Sequence, residues 1–307
     1  MLRTFVCCAL LGCGAITAAP AAEAPVKRVL FIGIDGCRPD ALEVADTPSI
    51  DRLKADGIAF AGTDIVCPRP SKADTISGPG WSNQLTGVWP DKHGVLDNSF
   101  KGSQYDRYPH FFVRLKSVRP QASTVSLTTW EPIHSKILAG ADDGRHFNGD
   151  MPGDYAGGDR SAADAMVKVL QTQNPDAAVL YLGAVDETGH KYGFHPKVPQ
   201  YVAAIEEVDT QIGKVLTALQ ARPQFAAEDW LIVVCTDHGG LGTGHGGGRE
   251  KPEIRNVFLI VSGPAALRGT SEEPTTHVDI VPTLLTHLGV AIDPAWELDG
   301  KAVGLKP

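Results

Sequence analysis

The chain has 307 residues, 43% of them hydrophobic and 21% charged, with a formal net charge of −8. That length suits one large α/β domain, and the composition excludes a disordered or fibrous chain. The acidic balance, without a long basic run, excludes a tightly held nucleic-acid duplex but not a small phosphorylated ligand, since bound metal ions supply positive charge locally.

Residues 1–22 read as an export leader. Arg3 is followed by an apolar run, residues 4–18, and small residues around Ala19–Ala22 offer a cleavage point after Ala21. The run is short for a membrane span, so the mature chain is expected to carry none, and to be secreted or periplasmic. A lipid-anchored Cys13 is the lesser alternative. Cleavage removes Cys7, Cys8 and Cys13 and leaves Cys37, Cys67 and Cys235, enough for one disulfide at most.

The mature chain, residues 26–307, reads as a single catalytic domain. Residues 28–34, with VLFIGI at their core, form a continuous apolar run ending at Asp35-Gly36, the pattern of a buried parallel strand. Thr47 is expected to cap a helix through Asp56, with Pro48 in its first turn. A strand is predicted over 58–66, a helix from Gly78, a helix over 108–117 and a strand over 122–128. Residues 140–159 lack periodicity and read as a small loop-rich insertion near the site. A helix over 161–173, a strand over 177–184, a helix over 200–219, strands over 230–235 and 256–261 and a helix over 278–288 complete the series. Strands alternating with helices predict an α/β fold whose mostly parallel sheet is sandwiched between helices. Sites in such sheets lie at the carboxyl ends of the strands.

Polar residues stand at those ends. Asp186 and His190 are four apart, so one helical turn sets both on one face. Asp237-His238 ends another apolar run, and His245 follows in GTGHGGG. Carboxylate with imidazole suits zinc, although other divalent metals share the preference. Ser77 stands where a helix begins, a place that favours phosphoryl oxygens and an alkoxide, or serves as an ordinary N-cap. Thr75 competes with it by residue type. His93 reads as structural, and Trp81 as a pocket wall or a buried aromatic.

The segments VLFIGIDG, TPSIDRLKADG, SGPGWSNQLTGVWPDKHGV, VDETGHKYG and CTDHGG, in that order, resemble the alkaline phosphatase superfamily, and within it the type I phosphodiesterase/nucleotide pyrophosphatase branch. The resemblance implies an alkaline phosphatase-like fold and a hydrolase of small phosphate esters with two Zn²⁺. Asp186, His190 and His245 match the ligands of one ion, with His277 the rival for the third place. Asp35, Asp237 and His238 match those of the other, together with Ser77, the expected nucleophile of a phosphoseryl intermediate. Asn98 matches a residue that holds a phosphate oxygen.

Neighbouring activities divide on single residues. Alkaline phosphatases proper carry an arginine after the nucleophilic serine, where Gly78 stands here. Sulfatases have an Asp-Asn pair and a modifiable Cys in place of Asp237-His238 and Ser77. Phosphonate hydrolases share the two-zinc set. A zinc-binding extracellular interaction protein is the non-enzyme alternative, although structural zinc sites are closed and Cys-rich. Oligomeric state is not legible in the residues.

Overall fold

The computed structural model describes Leu2 and residues 24–307, so the expected leader, with Arg3, Cys7, Cys8, Cys13 and the Ala21 cleavage point, lies outside the described residues. The first half of the chain forms β1 (Val26–Ile34), α1 (Pro39–Leu42), α2 (Pro48–Ala55), β2 (Gly57–Asp64), α3 (Ser77–Thr86), α4 (Pro90–His93), α5 (Phe111–Val118), β3 (Thr124–Thr128) and β4 (Asp143–His146). There follow α6 (Tyr155–Thr172), β5 (Ala177–Leu182), α7 (Ala184–Tyr192), α8 (Pro199–Gln220), β6 (Glu228–Cys235), α9 (Pro252–Arg255), β7 (Asn256–Ser262), β8 (Gly269–Ser271), β9 (Thr275–Thr276) and α10 (Ile280–His287).

The strands join in one sheet of order β4-β3-β5-β1-β6-β7-β2-β8, with β9 also on β2. Every pairing from β4 to β6 is parallel, and β7 alone runs against its neighbours. The sheet is therefore mostly parallel, as expected. The residues of β1 alternate between two cores. Val29 and Phe31 face the layer of α3, α5 and α10, with Trp81, Phe111 and Leu284. Leu30, Ile32 and Ile34 face α2, α6 and α8, with Leu53, Met166 and Ile205. Burial on both faces is why β1 reads as an unbroken apolar run.

Register positions the site. Ile34 pairs with Leu182 on β5, and Gly33 with Cys235 on β6, so the three central strands end level. Asp35, the turn into α7 and Asp237 consequently share one edge.

Three expectations change. Residues 140–159 are not all loop: they hold β4, an edge strand without an apolar face, and the start of α6. Helix α6 begins six residues before Ser161 because the Asp154 carboxylate accepts from the Gly157 amide at 2.9 Å. The Gly157-Gly158 pair hides that turn from propensity. Helix α5 starts at Phe111, since Pro109 disfavours helical backbone at the residue before it. Cys37, Cys67 and Cys235 are buried free thiols. No helix among the described residues is long and apolar enough to cross a membrane.

Thr47 precedes α2 as expected, yet its hydroxyl makes no capping bond. The cap comes from α8, where the Asp209 carboxylate accepts from the amides of Ser49 (3.0 Å) and Ile50 (2.7 Å). Asp209→Ala is expected to lower the unfolding free energy by about 1–2 kcal/mol, and Thr47→Ala by less than about 0.5 kcal/mol. Urea denaturation of the two variants measures both, and equal losses contradict the assignment.

Candidate metal centre

Asp35 is the first residue past β1, and its amide bonds the Leu182 carbonyl at 3.0 Å. Gly36 follows with φ of +64°, and a Cβ there would lie 2.6 Å from an Asp186 oxygen and 2.9 Å from the Asp186 Cα. Only glycine fits that turn and that approach. Helix α7 leaves the end of β5, with Asp186 in its first turn and His190 one turn on. Buried Asp159 braces this start. Its carboxylate accepts from the Gly183 and Ala184 amides, both at 2.9 Å, and from the Thr129 hydroxyl at 2.8 Å. Burial nevertheless pushes the Asp159 pKa up to about 7.

Two triads result. One ligand atom from each of Asp186, His190 and His245 lies within 4.8 Å of the others, and the same holds for Asp35, Asp237 and His238. The two groups touch, since the His238 and His245 rings stack at 3.7 Å. His245 rather than His277 joins the first triad. His277 is buried behind α3, with Nε2 3.1 Å from the Thr236 carbonyl and 3.3 Å from Gln84.

The imidazoles share one orientation. The Nδ1 atoms of His190, His238 and His245 face the carbonyls of Thr243 (2.9 Å), Gly239 (2.9 Å) and Thr75 (3.2 Å). A carbonyl only accepts, so each Nδ1 carries a proton and each Nε2 is the atom turned inward. The Nε2 atoms of His190 and His245 then meet at 3.0 Å. Two lone pairs at that distance repel unless a cation or a proton lies between them. The carboxylates show the same demand: Asp35 Oδ1, Asp186 Oδ1 and Asp237 Oδ2 are buried without a hydrogen-bond partner among the described residues. Their other oxygens are engaged. Asp35 Oδ2 accepts from Trp81 Nε1 (2.9 Å) and the Tyr181 hydroxyl (2.5 Å), and Asp237 Oδ1 from the Gly36 amide (3.1 Å).

Charge is unbalanced here. Burial, reinforced by repulsion from Asp186, raises the pKa of Asp35; burial, with Asp35 and Asp186 adding, raises that of Asp237 well above the carboxylate range. Burial also works against ionised Asp186, but the bond from His190 and the neighbouring histidines hold its pKa below the ordinary value. Burial and His238 push His245 down to about 3. Dications bound between these groups relieve both the repulsion and the desolvation, and mixed carboxylate and imidazole donors fit zinc. The residues present therefore fit two such ions.

Ser77 opens α3. Its hydroxyl makes no capping bond, and Oγ lies 3.4 Å from His238 Nε2, inside the second triad. The ordinary N-cap reading thus fails for Ser77. The first-turn amides are fewer than the helix start suggests. Gly78 donates to Asn98 Oδ1 at 2.7 Å, Pro79 has no N–H, and Gly80 bonds the Ile76 carbonyl. Asn98 is left with its NH₂ as the free donor. Thr75, the rival by residue type, has its hydroxyl engaged with the His245 carbonyl rather than facing either triad's ligand atoms. His93 is structural, bonded to Asn83 and the Val95 amide. Trp81 proves to be a donor to Asp35 rather than a simple wall, and a Cβ on Gly33 would meet its ring at 2.4 Å. Tyr181 and Asp159 escaped the sequence reading. The signal for Tyr181 was a hydroxyl in the buried run AAVLYL, which must find a partner.

In the metal-free protein the bond to Asp186 pushes His190 up to about 9. An ion entering this triad must displace that proton, so zinc affinity is expected to rise with pH and level off near about 9. Competition titration against a chelator tests this, and an affinity flat below that pH contradicts His190 as a ligand.

Residues 29–245 match the profile of the family described as type I phosphodiesterase / nucleotide pyrophosphatase. GPI ethanolamine phosphate transferase 2 of Schizosaccharomyces pombe is 24% identical over 293 residues, covering 88% of this chain and 37% of that protein. The venom phosphodiesterase CdcPDE of Crotalus durissus collilineatus is 28% identical over 247 residues, covering 73% of this chain and 27% of that protein. The chain thus spans well under half the length of these relatives. The fold is similar to that of murine ectonucleotide pyrophosphatase / phosphodiesterase 5, solved in complex with AMP, at a TM-score of 0.63 and 14% identity over 87% of this chain and 96% of that one. With the family match running from the central strand to the last residue of the first triad, this chain belongs to the type I phosphodiesterase / nucleotide pyrophosphatase family.

Proposed function

We propose that the chain is a two-zinc hydrolase of phosphate esters, of the phosphodiesterase/nucleotide pyrophosphatase type, with Ser77 as nucleophile. The two touching triads, in which Asp35 Oδ1, Asp186 Oδ1 and Asp237 Oδ2 are buried without a hydrogen-bond partner among the described residues, carry this reading. Asp186, His190 and His245 would hold one ion, and Asp35, Asp237 and His238 the other, with Ser77 beside it. Bound there, the ions supply Lewis acidity that lowers the Ser77 pKa and offsets charge on the phosphoryl group and the leaving oxygen.

The chain's own residues do the rest. Helix α3 holds the Ser77 hydroxyl in its first turn, 3.4 Å from His238 Nε2, where the helix dipole favours an alkoxide. Asn98 offers its NH₂ to a non-bridging phosphate oxygen while its own oxygen stays fixed on the Gly78 amide. Ser77 Oγ gives up its proton to solvent and bonds to phosphorus as the ester P–O bond breaks, and the leaving oxygen takes a proton back from solvent. Water then attacks the phosphoseryl group, and Ser77 recovers its hydroxyl. Trp81 and Tyr181 hold Asp35 in place throughout.

The likeness to a GPI ethanolamine phosphate transferase along 88% of the chain favours a second reading, in which an alcohol takes the place of that water. The serine ester is common to both, and added alcohol distinguishes them by diverting product from hydrolysis to transfer.

Rates on bis-p-nitrophenyl phosphate, p-nitrophenyl phosphate and p-nitrophenyl sulfate test the substrate class, with the diester expected to be fastest. Ser77→Ala is expected to lower the diester rate at least about 10³-fold with zinc content nearly unchanged. A variant that keeps most of its activity removes Ser77 from the mechanism. Zinc-loaded wild type inactive on all three favours the interaction protein instead.

A further inference from the structure

Thr75 stands two residues before the proposed nucleophile and is buried, although no part of the reaction uses it. Its amide donates to Asp74 Oδ1 at 2.8 Å, and its other bonds go to one segment. The hydroxyl donates to the His245 carbonyl at 2.6 Å and accepts from the Gly248 amide at 2.8 Å. The Thr75 carbonyl accepts from His245 Nδ1 at 3.2 Å. One residue therefore grips both the backbone and the ring of His245. Asp74 adds a second point of attachment, its Oδ1 accepting from the Gly247 amide at 2.7 Å.

That grip matters because the segment is otherwise weakly specified. GTGHGGG has glycine on both sides of His245, with φ of +61° at Gly242 and at Gly247, so its own conformational preferences restrict it little. Thr75 supplies what the segment lacks. The bond at Nδ1 selects the tautomer and aims Nε2 at Asp186 and His190. The hydroxyl bonds stop the backbone from turning the ring away. Ser77 follows two residues later, where the bend at Thr75 and Ile76 enters α3, so one anchor sets the distance between the nucleophile and the His245 triad.

We infer that Thr75, supported by Asp74, is a positioning residue that holds His245 in its ligating pose and keeps it in register with Ser77. The inference rests on the two-zinc reading above. Its action is on ion affinity at one triad and not on the chemical step itself.

Thr75→Val keeps the shape and removes the hydroxyl, leaving the His245 carbonyl and the Gly248 amide unpaired. Zinc alone is titrated into metal-free protein against a competing chelator, and the visible spectrum of the cobalt-substituted protein is recorded. Thr75→Val is expected to weaken one of two ions by about 10- to 100-fold, leave the other within about threefold, and alter the cobalt bands; Thr75→Ser, which keeps the hydroxyl, is expected to restore both readouts. If Thr75→Val fails to fold, Asp74→Ala at an exposed position carries the test, with a smaller loss at the same ion expected. Both ions bound as in wild type, or both weakened alike, overturns the positioning role while the two-zinc reading stands. Wild type that binds no zinc overturns the two-zinc reading and this inference with it.

Discussion

Three buried carboxylates and three imidazoles converge at one edge of the sheet, and among the described residues no lysine or arginine pairs with the carboxylate oxygens left over; only imidazole Nε2 atoms approach them, at 3.2–3.5 Å. That imbalance is the constraint on which the rest of the structure depends. A buried carboxylate keeps its charge only beside a partner, and here each leaves one oxygen bare. A protein folding for stability alone would fill this place with apolar side chains. Protons taken up by Asp35, Asp237 and His190 relieve part of this charge, and bound dications would relieve the rest.

The fold serves that cluster in two ways. Level termination of β5, β1 and β6 delivers carboxylates that are 151 and 51 positions apart to one edge, because parallel pairing on either side of β1 locks their register. Glycines at Gly33 and Gly36 then let Trp81 and Asp186 approach the backbone of the central strand and its turn. Around the ligands lies a second tier of donors and acceptors: Trp81, Tyr181 and Gly36 on the carboxylates, and three backbone carbonyls on the imidazoles. These bonds decide which atoms point inward, and so which chemistry is possible.

The residues of the two triads were legible in the sequence because polar residues interrupt apolar runs where a strand must end, and because Asp186 and His190 have the spacing of one helical turn. Ser77 was legible from its helix start and from the family resemblance, and the sheet's class from alternating patterns. What was not legible depends on distant partners. Asp209 caps a helix 160 positions away, so Thr47 looked sufficient locally. Asp159 is an ordinary acidic residue until its bonds to Gly183 and Ala184 are seen, 24 and 25 positions on. The reversal of β7 left no mark, since a strand buried on both faces reads the same in either direction. Asn98 was matched by resemblance alone, and which of its two polar atoms is free appears only from the bond to Gly78.

The account stands on two cations bound between the triads. A crystal grown with zinc, with anomalous diffraction recorded on either side of the zinc absorption edge, tests this directly. The account predicts two peaks, one among Asp186, His190 and His245 and one among Asp35, Asp237 and His238. A single peak elsewhere on the surface, or none at either triad, contradicts it.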